Sequence, residues 1–195
     1  MDLSERVPDV PRTATSVLVL RSAGDAPSDR AYGRLLVEDA SGVRVAGVSF
    51  SGTPDRWLDG WEETLGGPPA AAALVTGTDA ASRASDSGVT VYGVPSPADL
   101  TGIGMKLSSR LTDWEAADGE VVVAVESLTL LLQYSRLETL YRFLHVLTGR
   151  LAAVGARGQF FLDPTAHDEM TVNTLKTLFD AVVERRDDEW RVDSR

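Results

Sequence analysis

Short apolar runs and amphipathic stretches alternate along this chain. Six segments are apolar without a helical period: Ser16–Leu20 (SVLVL), 43–50 (VRVAGVSF), 72–77 (AALVTG), Val89–Val94 (VTVYGV), Val121–Val125 (VVVAV) and 156–162 (ARGQFFL). Runs of this length that are apolar on both faces predict strands buried on both sides, as in a parallel sheet. Helical spacing fills the gaps. Thr53 and Pro54 open a helix over 53–65, where Trp57, Trp61 and Leu65 share a face. Ser96 and Pro97 repeat that start signal ahead of the stripe Leu100, Ile103, Leu107, Leu111 and Trp114. A long helix over 135–155 has Ser135 as its cap, Glu138 three residues on, and Gly155 near its end. Asp168 caps a helix over 167–182, and Tyr32, Leu35 and Leu36 suggest a shorter one over 30–40. The last segment, 182–192, reads as a hairpin around Asp187 and Asp188.

Strands alternating with helices over the whole length predict a three-layer α/β sandwich with a mainly parallel central sheet. The hairpin adds an antiparallel C-terminal edge. The expected layout is a flexible N-terminal arm, 1–15, and a single domain, 16–195. The small polar residues of 77–88 read as a mobile loop within that domain.

Composition narrows the partners. No run of eighteen apolar residues occurs, and the first residues lack an apolar signal core, so the expectation is a cytoplasmic protein off the membrane. Cysteine is absent and the histidines are His145 and His167 alone, which leaves no expected metal site. The net charge is −10, a poor match to nucleic acid, whose binding needs Lys and Arg to replace phosphate counterions. Of 19 basic residues only Lys106 and Lys176 are lysines. An acidic, lysine-poor chain resembles cytoplasmic proteins of salt-accumulating archaea. Near 1 M salt the Debye length falls to ~3 Å, and such self-repulsion is screened.

Chemistry is expected past the carboxyl ends of the strands, where parallel sheets bind ligands. Glu126 and Ser127 follow the most apolar strand and are placed there. Ser127, His167 and Asp163 can be sketched as a triad, but Ser127 has no G-x-S-x-G elbow. Asp163-Pro164 and His167-Asp168 read more simply as a strand end and a helix cap. The glycines of "GIGMKL" lie within a helical pattern, where they permit close helix packing and form no dinucleotide fingerprint. His145 reads as a packed or half-buried histidine. Trp57 and Trp61 either pack on the sheet or anchor a partner. "LTLLLQY" is more apolar than a surface loop should be, so Leu130, Leu131, Leu132 and Tyr134 are candidate partner contacts.

Taken together, the order of elements and the segments "DLTGIGM" and "VESLTLLLQY" resemble the RecA/KaiC superfamily of P-loop ATPases, in a degenerate haloarchaeal form, over most of the chain from Ser16 to Val192. The resemblance implies that Glu126 stands at the Walker B position, whose acid holds magnesium-bound water beside the nucleotide. The superfamily uses Asp there. Glu is one methylene longer and moves the carboxylate by roughly an ångström, enough to disturb octahedral magnesium. A phosphate loop needs G-x-x-x-x-G-K-[ST] directly after the first strand. This chain has "RSAGDAPSDRAYG" instead, with Gly24 but no lysine, Pro27 removing a backbone donor, and Asp25 and Asp29 repelling phosphate. The resulting expectation is a non-catalytic regulatory or protein-interaction module. It has no cofactor, and its partner is another protein or a second copy of itself. The alternatives are a nucleotide-binding ATPase with an unusual phosphate loop, or a small hydrolase.

Overall fold

The Val- and Leu-rich runs pair side by side because an extended segment apolar on both faces is stable only in the middle of a sandwich. In a computed structural model, which describes residues 8–22, 33–82, 88–186 and 189–194, the strands are β1 (Ser16–Leu20), β2 (Arg44–Val48), β3 (Ala71–Gly77), β4 (Val89–Val94), β5 (Val121–Val125), β6 (Arg157–Leu162), β7 (Ala181–Arg186) and β8 (Glu189–Ser194). They form one sheet in the order β4-β3-β2-β5-β6-β1-β7-β8. All neighbours are parallel except β7 and β8, which are antiparallel. The α/β sandwich with a C-terminal antiparallel pair is therefore present.

Among the described residues, helices cover both faces, unequally. The helices are α1 (Pro54–Leu65), α2 (Thr78–Ala81), α3 (Leu100–Trp114), α4 (Leu128–Tyr134), α5 (Leu137–Ala153) and α6 (Glu169–Lys176). On one face Leu18, Val123, Val125 and Phe160 meet the buried residues of α3, α4, α5 and α6. On the other, Val17, Val19, Val45 and Ala124 meet Trp57, Leu58, Trp61 and Leu65 of α1, together with Leu35 and Leu36. Burying each Leu or Phe side chain contributes ~1.5–3 kcal/mol, so both layers are needed to hold the sheet. Gly47 of β2 is a close-approach position, because a Cβ there would collide with the indole of Trp57. On the opposite side Gly104 of α3 lies against Phe143 of α5, the close helix contact expected of "GIGMKL".

Several expected boundaries move. The helix expected from Ser96 and Pro97 starts at Leu100, capped by Asp99, whose Oδ1 accepts from Gly102 N at 2.9 Å. Ser96 instead closes a turn, with its Oγ accepting from Ala98 N. "LTLLLQY" is a helix, and Ser135 ends it by donating to Leu131 O at 2.8 Å. The next helix starts at Leu137 with no side-chain cap. α6 stops at Lys176, because the chain leaves the helix to begin β7 at Ala181. Leu35 and Leu36 are buried in a turn, while Tyr32 lies outside the described residues. So do residues 83–87 of the small-polar loop and the hairpin turn at Asp187 and Asp188. Residues 8–15 of the expected arm pack on the domain: Val10 and Ala14 are buried.

One carboxylate fastens the start of the sheet. Asp180 Oδ2 accepts from Thr15 N (2.9 Å), Thr15 Oγ1 (2.9 Å), Ser16 N (3.0 Å) and Ser16 Oγ (3.1 Å). Burial alone would raise its pKa, but these hydrogen bonds outweigh burial and hold it below the ordinary value. A depressed carboxylate stabilises the fold above its unfolded pKa, and that stability is lost as pH falls through the folded value. Asp180→Asn should therefore melt below wild type at neutral pH, by about 1 kcal/mol after allowing for exposure. The gap should close as pH drops below ~3.9. Thermal melts across pH test this; a gap independent of pH would contradict it.

Candidate functional site

Four parallel strands deliver their carboxyl ends side by side. Leu20 of β1 sits beside Leu162 of β6, and Val125 of β5 lies between Phe160 of β6 and Val48 of β2. Just past those ends Arg21 N donates to Leu162 O (3.0 Å), Glu126 N to Val48 O (3.1 Å) and Ser49 N to Val75 O (3.1 Å). Beyond the ladder the edge opens into a cleft of about 910 Å³, bordered by Arg21, Ser49, Glu126 and Asp163, by Trp57 and Trp61 of α1, and by Leu130 and Leu131 of α4. Its floor includes Ala124 and Gln159. Glu126 is half-buried at this edge, one strand away from β1 across β6. Ser22 and Gly33 both line the cleft. The expectations placed on Gly24, Asp25, Pro27 and Asp29 fall outside the described residues.

The sketched triad is not assembled. Ser127 Oγ accepts from Leu130 N at 2.9 Å and caps α4. His167 Nε2 meets Thr129 Oγ1 at 3.2 Å, and that hydroxyl also accepts from Asp163 N at 2.9 Å. Asp163 Oδ1 accepts from Thr165 N and Oγ1, closing the turn before α6. Ser127 thus caps a helix and Asp163 closes a turn, His167 holds the Thr129 hydroxyl, and Asp168 caps α6 as the simpler reading has it. Among the described residues, no group of three or more His, Asp or Glu side chains could hold a metal. None of the described helices is long and apolar enough to cross a membrane.

The candidate contact residues separate by burial. Leu131 is 1% exposed and belongs to the core, which removes it from the outward surface. Trp57 and Trp61, at 7% and 6%, pack against the sheet edge-to-face, with ring centroids 6.3 Å apart. Leu130 and Leu132 are half-buried, and Tyr134 is 53% exposed. His145 is exposed, unlike the packed histidine expected, because it lies on the outward side of α5, away from Leu140, Leu144, Leu147 and Leu151. Gln159 had drawn no attention in the sequence. A lone polar residue inside a doubly buried strand was the available signal. It is 2% exposed, and its Oε1 has no hydrogen-bond partner; Trp57 Nε1 is likewise buried without one.

These features define an α/β sandwich with a mainly parallel sheet and an open cleft at its carboxyl edge. The chain belongs to DUF7504, a family of unknown function, whose profile matches residues 14–185. No curated protein matches it. Among solved structures it is similar to the crystal structure of the uncharacterised protein PH0321 from Pyrococcus horikoshii in complex with an unknown peptide. The TM-score is 0.58 at 13% identity, covering 92% of this chain and 82% of that one. At that identity the likeness shows the fold alone.

Proposed function

We propose that the chain is a RecA/KaiC-like domain without ATP turnover, a pseudo-ATPase that serves as a regulatory or protein-interaction module. One observation carries the reading. Glu126 stands past β5, one strand from β1, but the ten residues between Ser22 and Gly33 supply one glycine, no lysine, a proline and two aspartates. A triphosphate cradle needs converging N–H donors and a lysine, and this sequence has one glycine and no lysine, with Arg30 as its one cation beside two aspartates. The acidic, lysine-poor composition supports work in a salt-rich cytoplasm.

The partner is another protein or a second copy of the chain, met through the outward side of α4. Tyr134 is its exposed aromatic, and Leu132 and Leu130 are the half-buried residues beside it. The unknown peptide in the Pyrococcus horikoshii structure is consistent with this use of the fold. Tyr134→Asp should leave the melting temperature within about 2 °C of wild type, as surface changes do, while abolishing association. Sedimentation of the pure protein, and cross-linking in cells of the native host, read the outcome. Unchanged association in Tyr134→Asp would remove α4 as the contact.

A further inference from the structure

The face of the sheet under α1 holds an unmatched pair of polar atoms. Gly47 of β2, Ala124 of β5 and Gln159 of β6 stand in one lateral row, each beside the next in register. The indole of Trp57 lies on Gly47 because no side chain is there to hold it off. Ala124, with only a methyl side chain, stands between Gly47 and Gln159 in that row. Among the described residues, Trp57 Nε1 is a buried donor without a partner, and Gln159 Oε1 is a buried acceptor without one. Buried polar atoms are rarely left unpaired, because each then loses its hydration for nothing. The two residues that carry them line the same cleft of about 910 Å³, within the size range of small-molecule sites.

We propose that this row is the floor of a small-molecule site that takes a neutral carboxamide or lactam head. The ligand's carbonyl accepts from Trp57 Nε1, and its N–H donates to Gln159 Oε1. A carboxylate could answer the indole, but Gln159 only if its amide turned over to present Nε2. An ammonium could answer Gln159 but cannot accept from the indole. The apolar body of the ligand lies along Trp61 and Phe161, which line the same cleft. The site is on the sheet's face under α1, but Glu126 borders the same cleft, so a nucleotide held there would compete with the amide.

The test uses the full-length chain, with the indole N–H signals followed by nitrogen–proton correlation NMR. Benzamide and 2-pyridone are the probes, and toluene is the apolar control. The expected result is a saturable shift of the Trp57 indole signal with either amide, and binding of toluene at least about tenfold weaker. Gln159→Leu should keep a dispersed spectrum, melt about 2–4 °C higher because the unmatched acceptor is gone, and lose about tenfold in benzamide affinity. A lower melting temperature in Gln159→Leu would mean that Gln159 already has its partner, and the proposal fails. It fails equally if the variant binds benzamide as wild type does. A Trp57 indole that ignores both amides and exchanges magnetisation with a long-lived water would assign the pair to a bridging water and overturn the site.

Discussion

Leu131→Asp is expected to unfold the protein. Leu131 is 1% exposed and shares the core with Leu128 and Val125. It sits in the middle of the seven-residue α4, held by the Ser127 cap at one end and Ser135 at the other. Removing a buried leucine costs about 2–5 kcal/mol, and a carboxylate in its place adds the cost of an unpaired buried charge. A domain stable by ~5–15 kcal/mol cannot absorb that sum comfortably. Far-UV circular dichroism and thermal melts will show it. A cooperative melt at the wild-type temperature would mean that α4 does not belong to the core.

Arg157→Met is expected to cost about 3 kcal/mol, a fall of roughly 6–12 °C in melting temperature. The Arg157 side chain is 16% exposed, and its guanidinium pairs with Glu38 at 3.6 Å. Its Nε donates to Ala14 O (3.1 Å), its Nη1 to Leu36 O (3.3 Å) and its Nη2 to Pro11 O (3.2 Å). Burial lowers its pKa from the ordinary arginine value, with Glu38 and then Glu120 acting in the opposite direction. Methionine keeps much of the stem but takes the donors from Ala14 O and Leu36 O, while Pro11 O keeps Ala14 N and Glu38 keeps Arg12 at 2.9 Å. The damage should appear first where those carbonyls are, in residues 8–15 and around Leu36. Trypsin should then cut faster after Arg12, whose side chain is 84% exposed. A variant with unchanged melting and unchanged proteolysis would contradict the clamp.

The central strands were legible because burial on both faces leaves one readable mark, an unbroken apolar run, and β1 and β5 carry it plainly. Helix starts were less so. Ser96 and Asp99 are both capping residues, and a local signal cannot choose between them. The chain uses Asp99, directly ahead of the first buried position, Leu100. "LTLLLQY" was opaque because in seven residues a helical period barely repeats. Its true period, Leu128 and Leu131 inward, emerges only once the sheet supplies an inside. Arg157 and Gln159 were missed because their roles depend on distant partners. Pro11, Ala14 and Leu36 come from elsewhere in the chain, and Gly47 with Trp57 reaches Gln159 only through the lateral order β2-β5-β6. The place of Glu126 was readable from a strand's end. The cleft beside it was not, because strand order and the uneven helical cover are tertiary facts.

Titration calorimetry of ATP with magnesium, in molar potassium chloride, bears most directly on the reading of a pseudo-ATPase. With two aspartates and no lysine in the sequence between Ser22 and Gly33, the expected trace shows no saturable heat up to millimolar ATP. A dissociation constant in the low micromolar range, lost in Glu126→Gln, would make Glu126 a working ligand and contradict it.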